Sequence, residues 1–160
     1  MTEKENIKDG LVEEFYRRSF FEIILGKKPK LRSKKHWKNG KLNLWEEFYE
    51  NSQLKMRRSI RHGSLEWFYE NGQLERRGNY KNGQLEGLYE WFYENGQLQS
   101  RVNYKNEERE GLYESFYENG RLEYKENYKN GIENGPWEEF DKDGNLTKTG
   151  EYNNGKLIEE

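Results

Sequence analysis

The chain has 160 residues, of which 31% are apolar and 36% charged, with a net charge of −2. That balance normally leaves a chain disordered, because too little apolar surface is available to offset the entropy of ordering, but an aromatic content of 16% opposes it, since each ring buries a large area and favours strands. The absence of cysteine excludes disulfides, thiolate metal sites and a cysteine nucleophile.

From the N-terminus, Met1-Thr-Glu-Lys-Glu-Asn is polar and lacks the apolar segment of a secretory signal. No apolar run reaches the length of a membrane-spanning helix. A soluble, cytoplasmic protein with no stable membrane insertion is therefore expected. The first patterned residues are Glu13, Phe15 and Tyr16. Fourteen residues, Arg17 to Lys30, then separate Tyr16 from Leu31, where regular units have four, as between Tyr93 and Leu98. This insertion 17–30 is apolar in the middle (Phe20, Phe21, Ile23, Ile24, Leu25) and basic at both ends (Arg17, Arg18, Lys27, Lys28, Lys30). Phe20 with Ile24, and Phe21 with Leu25, stand one helical turn apart, so the little helix expected lies within 18–26.

Beyond the insertion, the chain repeats. Tyr-Glu-Asn-Gly recurs at Tyr69, Tyr93 and Tyr117, and Tyr-Lys-Asn at Tyr80, Tyr104 and Tyr128, each with a 24-residue period. Every unit thus carries two turn signals separated by short aromatic runs, which reads as strand, turn, strand, turn. Aligned units give columns. One is Phe15, Phe48, Phe68, Phe92, Phe116 and Phe140. Others are Leu31, Leu54, Leu74, Leu98, Leu122 and Leu146, then Trp37, Ile60, Tyr80, Tyr104, Tyr128 and Tyr152. A fourth is acidic: Glu13, Glu46, Glu66, Glu90, Glu114 and Glu138. The expected fold is all-β, an elongated single-layer antiparallel meander of about six hairpin units across 1–160, with between ten and fourteen short strands and a partial unit at 152–160. The Phe, Leu and Tyr columns are expected to stack into one apolar seam. Phe92→Ala should then cost on the order of 3 kcal/mol. The Glu column either meets Lys or Arg across the ladder or forms an acidic row for a basic partner or metal.

Two further departures from the repeat stand out. Four residues are missing before Trp67, so the hairpin after Arg58 should be tighter, which leaves room for a kink in the array there. Asn106-Glu107 replaces the Asn-Gly of Asn82-Gly83 and Asn130-Gly131, so this turn should differ, because positive φ is harder to reach without glycine.

The units Gly87-Leu-Tyr-Glu-Trp-Phe-Tyr-Glu-Asn-Gly-Gln-Leu98 and Gly111-Leu-Tyr-Glu-Ser-Phe-Tyr-Glu-Asn-Gly-Arg-Leu122 resemble the MORN-repeat variant and, more narrowly, the bacterial YwqK-type antitoxin family. The resemblance covers about Ile7 to Leu157. It implies an antiparallel meander and a role in neutralising a toxin encoded beside it, and it carries no catalytic residues to transfer. A repeat fold by itself does not fix a partner.

Enzymatic activity is not expected, and no cofactor or metal. His36 and His62 fall in different units without a motif, and the carboxylates are periodic where an active site breaks periodicity. The function expected is binding of a protein partner, a toxin or effector, as an antitoxin or immunity protein. The alternatives are a MORN-type scaffold or anionic-membrane adaptor, and an inhibitor of a nucleic-acid-processing enzyme. From Arg17 to Arg61 there are 14 Lys plus Arg against 4 Asp plus Glu, a local charge of +10 within a chain of −2. That third would attract an acidic protein, nucleic acid or anionic lipid. Nucleic acid is disfavoured but stays open, because the aromatic columns recur equally in the acidic part. The insertion 17–30 is the candidate contact, being the feature that occurs once. It could equally cap the first hairpin, and a membrane contact ranks last.

Overall fold

The computed structural model describes residues 9–158, so the polar opening stretch 1–8 and the last two residues lie outside the described residues. Its contacts divide the chain into two compact units, at Gly72 and Gln73. In the first, β1 (Gly10–Phe15), β2 (Leu31–Lys38), β3 (Lys41–Phe48), β4 (Leu54–Ser59) and β5 (Ser64–Phe68) pair antiparallel in chain order, and α1 (Phe20–Ile24) interrupts the connection from β1 to β2. The second holds β6 (Leu74–Lys81), β7 (Gln84–Phe92), β8 (Leu98–Lys105), β9 (Glu108–Phe116), β10 (Leu122–Lys129), β11 (Ile132–Glu133), β12 (Gly135–Phe140), β13 (Leu146–Asn153) and β14 (Lys156–Ile158). It is again a meander, with β11 and β12 acting as one strand broken at Asn134, both paired to β10. The all-β antiparallel meander predicted from turn spacing is the observed fold, and the short helix falls within 18–26.

Two kinds of turn alternate, and the sequence explains each. Asn39-Gly40, Asn82-Gly83, Asn130-Gly131 and Asn154-Gly155 make two-residue hairpin loops in which both residues have positive φ, the geometry that matches strand twist. The Tyr-Glu-Asn-Gly turns are longer. In 93–97, the Gly96 amide donates to the Tyr93 carbonyl at 2.9 Å, and the Gln97 amide to the Asn95 side chain at 2.8 Å. The tyrosine also joins successive hairpins. Its hydroxyl donates to a backbone carbonyl of the next unit: Tyr16 to Phe48 (2.6 Å) and Tyr49 to Phe68 (2.8 Å) in the first unit, Tyr93 to Phe116 (2.7 Å) and Tyr117 to Phe140 (2.8 Å) in the second. The turn asparagines do the same through Asn51, Asn95 and Asn119. The Tyr-Glu-Asn-Gly strings at Tyr93 and Tyr117 are therefore both turn and clasp.

Three expectations need correction. The Phe, Leu and Tyr columns do not form one seam. Side chains alternate between faces. On β7, Phe92 lies five residues from Gly87, the partner of Tyr104, so Phe and Tyr columns face opposite ways. The Phe column pairs with the Leu column (Phe92 with Leu98, Phe116 with Leu122) on one face. There the rings are half-buried beneath cations: Arg77 over Phe92, Arg101 over Phe116 and Lys125 over Phe140. Phe92→Ala should accordingly cost about 1–2 kcal/mol in urea unfolding, below the 3 kcal/mol of a core residue. The densest packing lies on the other face, where Tyr89, Val102 and Tyr128 are buried. Rings there contact one another from Tyr89 to Trp91 and Tyr104, and from Tyr113 through Tyr124 to Trp137 and Tyr152.

Ile60 does not belong to the Tyr column either. It sits 43% exposed in the turn after β4, because the four missing residues bring Ser59 and Ser64 into register at once and shorten the hairpin, as expected there.

The turn at Asn106-Glu107 does not differ from its glycine-bearing counterparts. Asn106 has φ 51° and Glu107 φ 69°, and the Glu107 amide donates to the Leu85 carbonyl at 3.1 Å, as Gly131 donates to Arg109. The register of neighbouring hairpins imposes the glycine conformation on a glutamate. Glu107→Gly should relieve that strain and raise stability by about 1 kcal/mol, read as a higher denaturation midpoint at unchanged slope.

Candidate partner-binding surface

The insertion leaves the first unit through a narrow neck. At its base the Tyr16 amide donates to the Lys30 carbonyl at 2.9 Å, and above it Arg18 Nη1 donates to the Lys27 carbonyl at 2.8 Å. Ser19 starts α1 with a capping box: its backbone amide donates to the Glu22 carboxylate at 2.9 Å, and the Glu22 amide donates to Ser19 Oγ at 3.3 Å. The bonds the Glu22 carboxylate accepts from the Ser19 amide and, at 3.0 Å, the Ser19 hydroxyl hold it below its ordinary pKa. A helix this short is marginal alone, so the cap and the neck fix its geometry.

What α1 presents is apolar and outward. It has no buried residue. Phe20 is 73% exposed and Phe21 76%, and Ile23, Ile24 and the C-cap residue Leu25 all exceed half. Lys27, Lys28 and Lys30 line the exposed return limb, and Arg17 and Arg18 the exposed outgoing limb. All ten insertion residues singled out from the sequence thus come together on one projection.

Beside the neck lies a depression of about 520 Å³, lined by Phe15, Tyr16, Arg17, Arg32, Glu47, Phe48 and Lys55. Only Arg17 among its cations was identifiable as a candidate from the sequence. Arg32 and Lys55 are the extra residues at β-bulges, where the register of β2 slips against β1 and that of β4 slips against β3. The same bulge column continues as Gln99, Glu123 and Thr147 in the second unit, so it changes from basic to acidic or neutral along the chain. A column read at the bulge position, not at the turn, would have pointed to them.

The acidic column is absorbed by the ladder. Glu13 pairs with Lys34 (3.5 Å), Glu46 with Arg57 (3.1 Å), Glu66 with Arg57 (3.6 Å), Glu90 with Arg77 (2.5 Å), Glu114 with Arg101 (2.6 Å) and Glu138 with Lys125 (2.9 Å). These are cross-strand pairs, each worth up to about 1 kcal/mol. His36 lies in β2 and His62 in the turn after β4. Among the described residues no group of three or more His, Cys, Asp or Glu is placed to hold a metal ion, and no helix is long and apolar enough to cross a membrane.

Among the described residues of the second unit one carboxyl group is buried. Glu126 is 8% exposed and accepts from the Tyr124 hydroxyl at 2.9 Å and the Tyr128 hydroxyl at 2.7 Å, while Arg109 donates to the Tyr128 hydroxyl at 2.9 Å. Burial and the neighbouring Glu126 push the Tyr128 hydroxyl up to about 12, and Tyr124 higher still. A phenol whose pKa rises on folding stabilises the fold below its unfolded value near 10, and that stability is lost as pH climbs through the folded value. The melting temperature should fall between pH about 10 and 12, and Tyr128→Phe should flatten that fall.

The MORN repeat variant model matches at residues 61–82, 85–106, 109–130 and 133–154, together more than half of the chain. No curated protein matches the chain significantly. Among solved structures the chain is similar to one in the crystal structure of TarM, at 10% identity and a TM-score of 0.32, over 79% of this chain and 22% of that one. It is also similar to one in the structure of accessory secretory protein 1,2 and 3 from Streptococcus pneumoniae, at 14% identity and a TM-score of 0.23, over 87% of this chain and 20% of that one. The chain spans about a fifth of the length of each, and likeness this distant carries no functional weight. Four tandem matches, each laid over a strand-turn-strand unit of the second meander or its approach, decide the family: the chain belongs to the MORN repeat variant family.

Proposed function

We propose that this chain is a non-catalytic, protein-binding repeat protein of the antitoxin or immunity type, which masks a cognate toxin or effector through the insertion 17–30. The observation that carries the reading is the outward projection of Phe20, Phe21, Ile23, Ile24 and Leu25 between two basic limbs. Apolar anchors ringed by charge are the common form of a binding hot spot. A helix that buries none of its residues is poorly suited to closing a seam, which weighs against a capping role. The local charge of +10 over 17–61 would speed encounter with an acidic protein. The toxin class rests on the likeness of the Tyr-Glu-Asn-Gly units to YwqK-type antitoxins.

A catalytic role is not part of the proposal. The histidines sit on separate elements, and the carboxylates of the acidic column are engaged in ion pairs. The second reading, a scaffold or anionic-membrane adaptor, draws on the same projection, because cations beside an exposed apolar helix also suit a lipid interface.

The test compares the intact chain with one in which 18–29 is replaced by an Asn-Gly turn. The intact chain should retain a protein from the native organism that arrests growth when expressed alone, with co-expression of the chain restoring growth. The replaced chain should fold and fail at both. Rescue by the replaced chain would move the contact elsewhere. Pelleting of the intact chain with anionic vesicles, but with no toxic protein, would favour the adaptor.

A further inference from the structure

The depression at the neck combines cations, a carboxylate and aromatic walls. Three cations, Arg17, Arg32 and Lys55, converge on it with one carboxylate, Glu47. None of the three makes an ion pair or a side-chain hydrogen bond among the described residues, and Lys55 lies over the Tyr49 ring at 5.6 Å. The ladder cations beside it behave otherwise: Lys34, Lys35 and Arg57 each hold a carboxylate. The floor and rim are aromatic, with Phe15 48% exposed and Tyr16 fixed by its bond to the Phe48 carbonyl. Arg17 and Arg32 flank the neck on its two limbs, so the depression opens at the root of the apolar projection.

We propose that this depression is an anion pocket that receives a carboxylate from an acidic segment of a protein partner, while α1 takes the apolar residues that adjoin it. The proposal rests on the reading above that the insertion meets a protein, and it names the chemistry of that partner: acidic side chains next to large apolar ones. Charge complementarity carries it. An excess of two positive charges in an aromatic-walled recess attracts a carboxylate more strongly than the same charges spread over open surface, because water screens them less. Cations already committed to ladder carboxylates offer a ligand little. The position of Arg32 and Lys55 at bulges adds a second point. A bulge residue stands outside the regular ladder pairing, and the second unit places Gln and Glu in this column without losing its strands. The chemistry of the column is therefore free to differ from unit to unit while the fold is kept.

That freedom supplies the experiment. Arg32→Gln combined with Lys55→Glu installs residues that the same column holds at Gln99 and Glu123, so the fold should persist, as circular dichroism would verify. Arg58→Gln with Arg61→Glu makes the same charge change in the same third, away from the depression. Fluorescence anisotropy on the full chain at low ionic strength would use two labelled probes, hexaglutamate and hexaglutamate extended by Leu-Phe-Leu. The wild type should bind both, the extended probe more tightly. The depression variant should bind each about tenfold more weakly, and the control variant should lose much less. Equal losses in the two variants would overturn the proposal in favour of a diffuse field. Displacement of hexaglutamate by an equal concentration of inorganic phosphate, or tighter binding to phosphatidylglycerol vesicles through the same residues, would overturn the carboxylate assignment. The chain lacking 18–29 separates this proposal from the one it rests on. It should keep hexaglutamate and lose the gain from Leu-Phe-Leu. If the extension gives no gain even in the wild type while the depression variant still loses hexaglutamate, the pocket stands and the protein-binding role of α1 falls.

Discussion

Val102→Asp is expected to unfold the second unit at ambient temperature or bring it close to unfolding. Val102 is 1% exposed, the largest side chain so fully enclosed among the described residues. It lies on β8 directly opposite Tyr89, on the aromatic face. A carboxylate there would lose its hydration beside cations that already have partners: Arg101 and Arg77 project to the other face and hold Glu114 and Glu90, and on the aromatic face Arg109 donates to the Tyr128 hydroxyl and Arg76 lies 4.0 Å from Glu75. Leaving a charge buried and unpaired costs on the order of 4 kcal/mol or more, against about 2 kcal/mol for Val102→Ala, which removes only apolar contact. The two substitutions also differ in pH dependence. Burial raises the pKa of an introduced aspartate, so the aspartate variant should regain stability as pH falls from that raised value toward the unfolded value of about 4, and the alanine variant should not. Denaturant midpoints at neutral and acid pH decide it. An aspartate variant no less stable than the alanine one would show that Val102 is reached by water.

The second large effect is steric. Gly78 occupies the same repeat position as Val102, yet Gly78→Val is expected to cost about 3 kcal/mol. A Cβ at Gly78 would stand 2.3 Å from Tyr89 Cδ2 and 2.6 Å from Cε2, distances no real contact allows. The ring cannot swing aside cheaply, because Tyr89 is 8% exposed and lies 4.4 Å, centroid to centroid, from Trp91. Gly150 shows the same arrangement beneath Trp137, with its Cβ position 2.7 Å from the indole nitrogen. Gly78→Val should therefore shift near-UV circular dichroism along with the midpoint. Combining it with Tyr89→Ala should cost less than the sum of the two, since the second change empties the volume the first one needs. Simple additivity would mean that the ring and the glycine do not share that space.

These two residues also mark where the sequence stops being readable. The 24-residue period and the Asn-Gly turns gave away the strands, because turn chemistry is local and repeats in register. That the acidic column meets Lys or Arg across the ladder was one of two readings open from the sequence, and the pairing of Glu90 with Arg77 decides for it. The faces were harder. Phe92 and Tyr104 recur with the same period, and a period says nothing about parity. Only the register, with Tyr104 opposite Gly87, separates them. Glu107 misled for a related reason: local preference argues for glycine, but the hydrogen bond to the Leu85 carbonyl outweighs it. Of the candidate surface, the insertion was legible because it breaks the repeat. Arg32 and Lys55 were not, since a bulge leaves no trace in composition and shows only once the ladder is built.

Within each of the two units the tyrosine clasps hold one hairpin to the next by a bond from a side chain to a backbone carbonyl. Such a bond needs a tyrosine in one unit and no particular residue in the other, because every residue offers a carbonyl. A duplicated or deleted unit would find its acceptor whatever its neighbour's composition. Genes encoding such arrays can then change length by whole units and recombine them out of order without designing a new junction each time, while the bulge column carries each unit's chemistry with it.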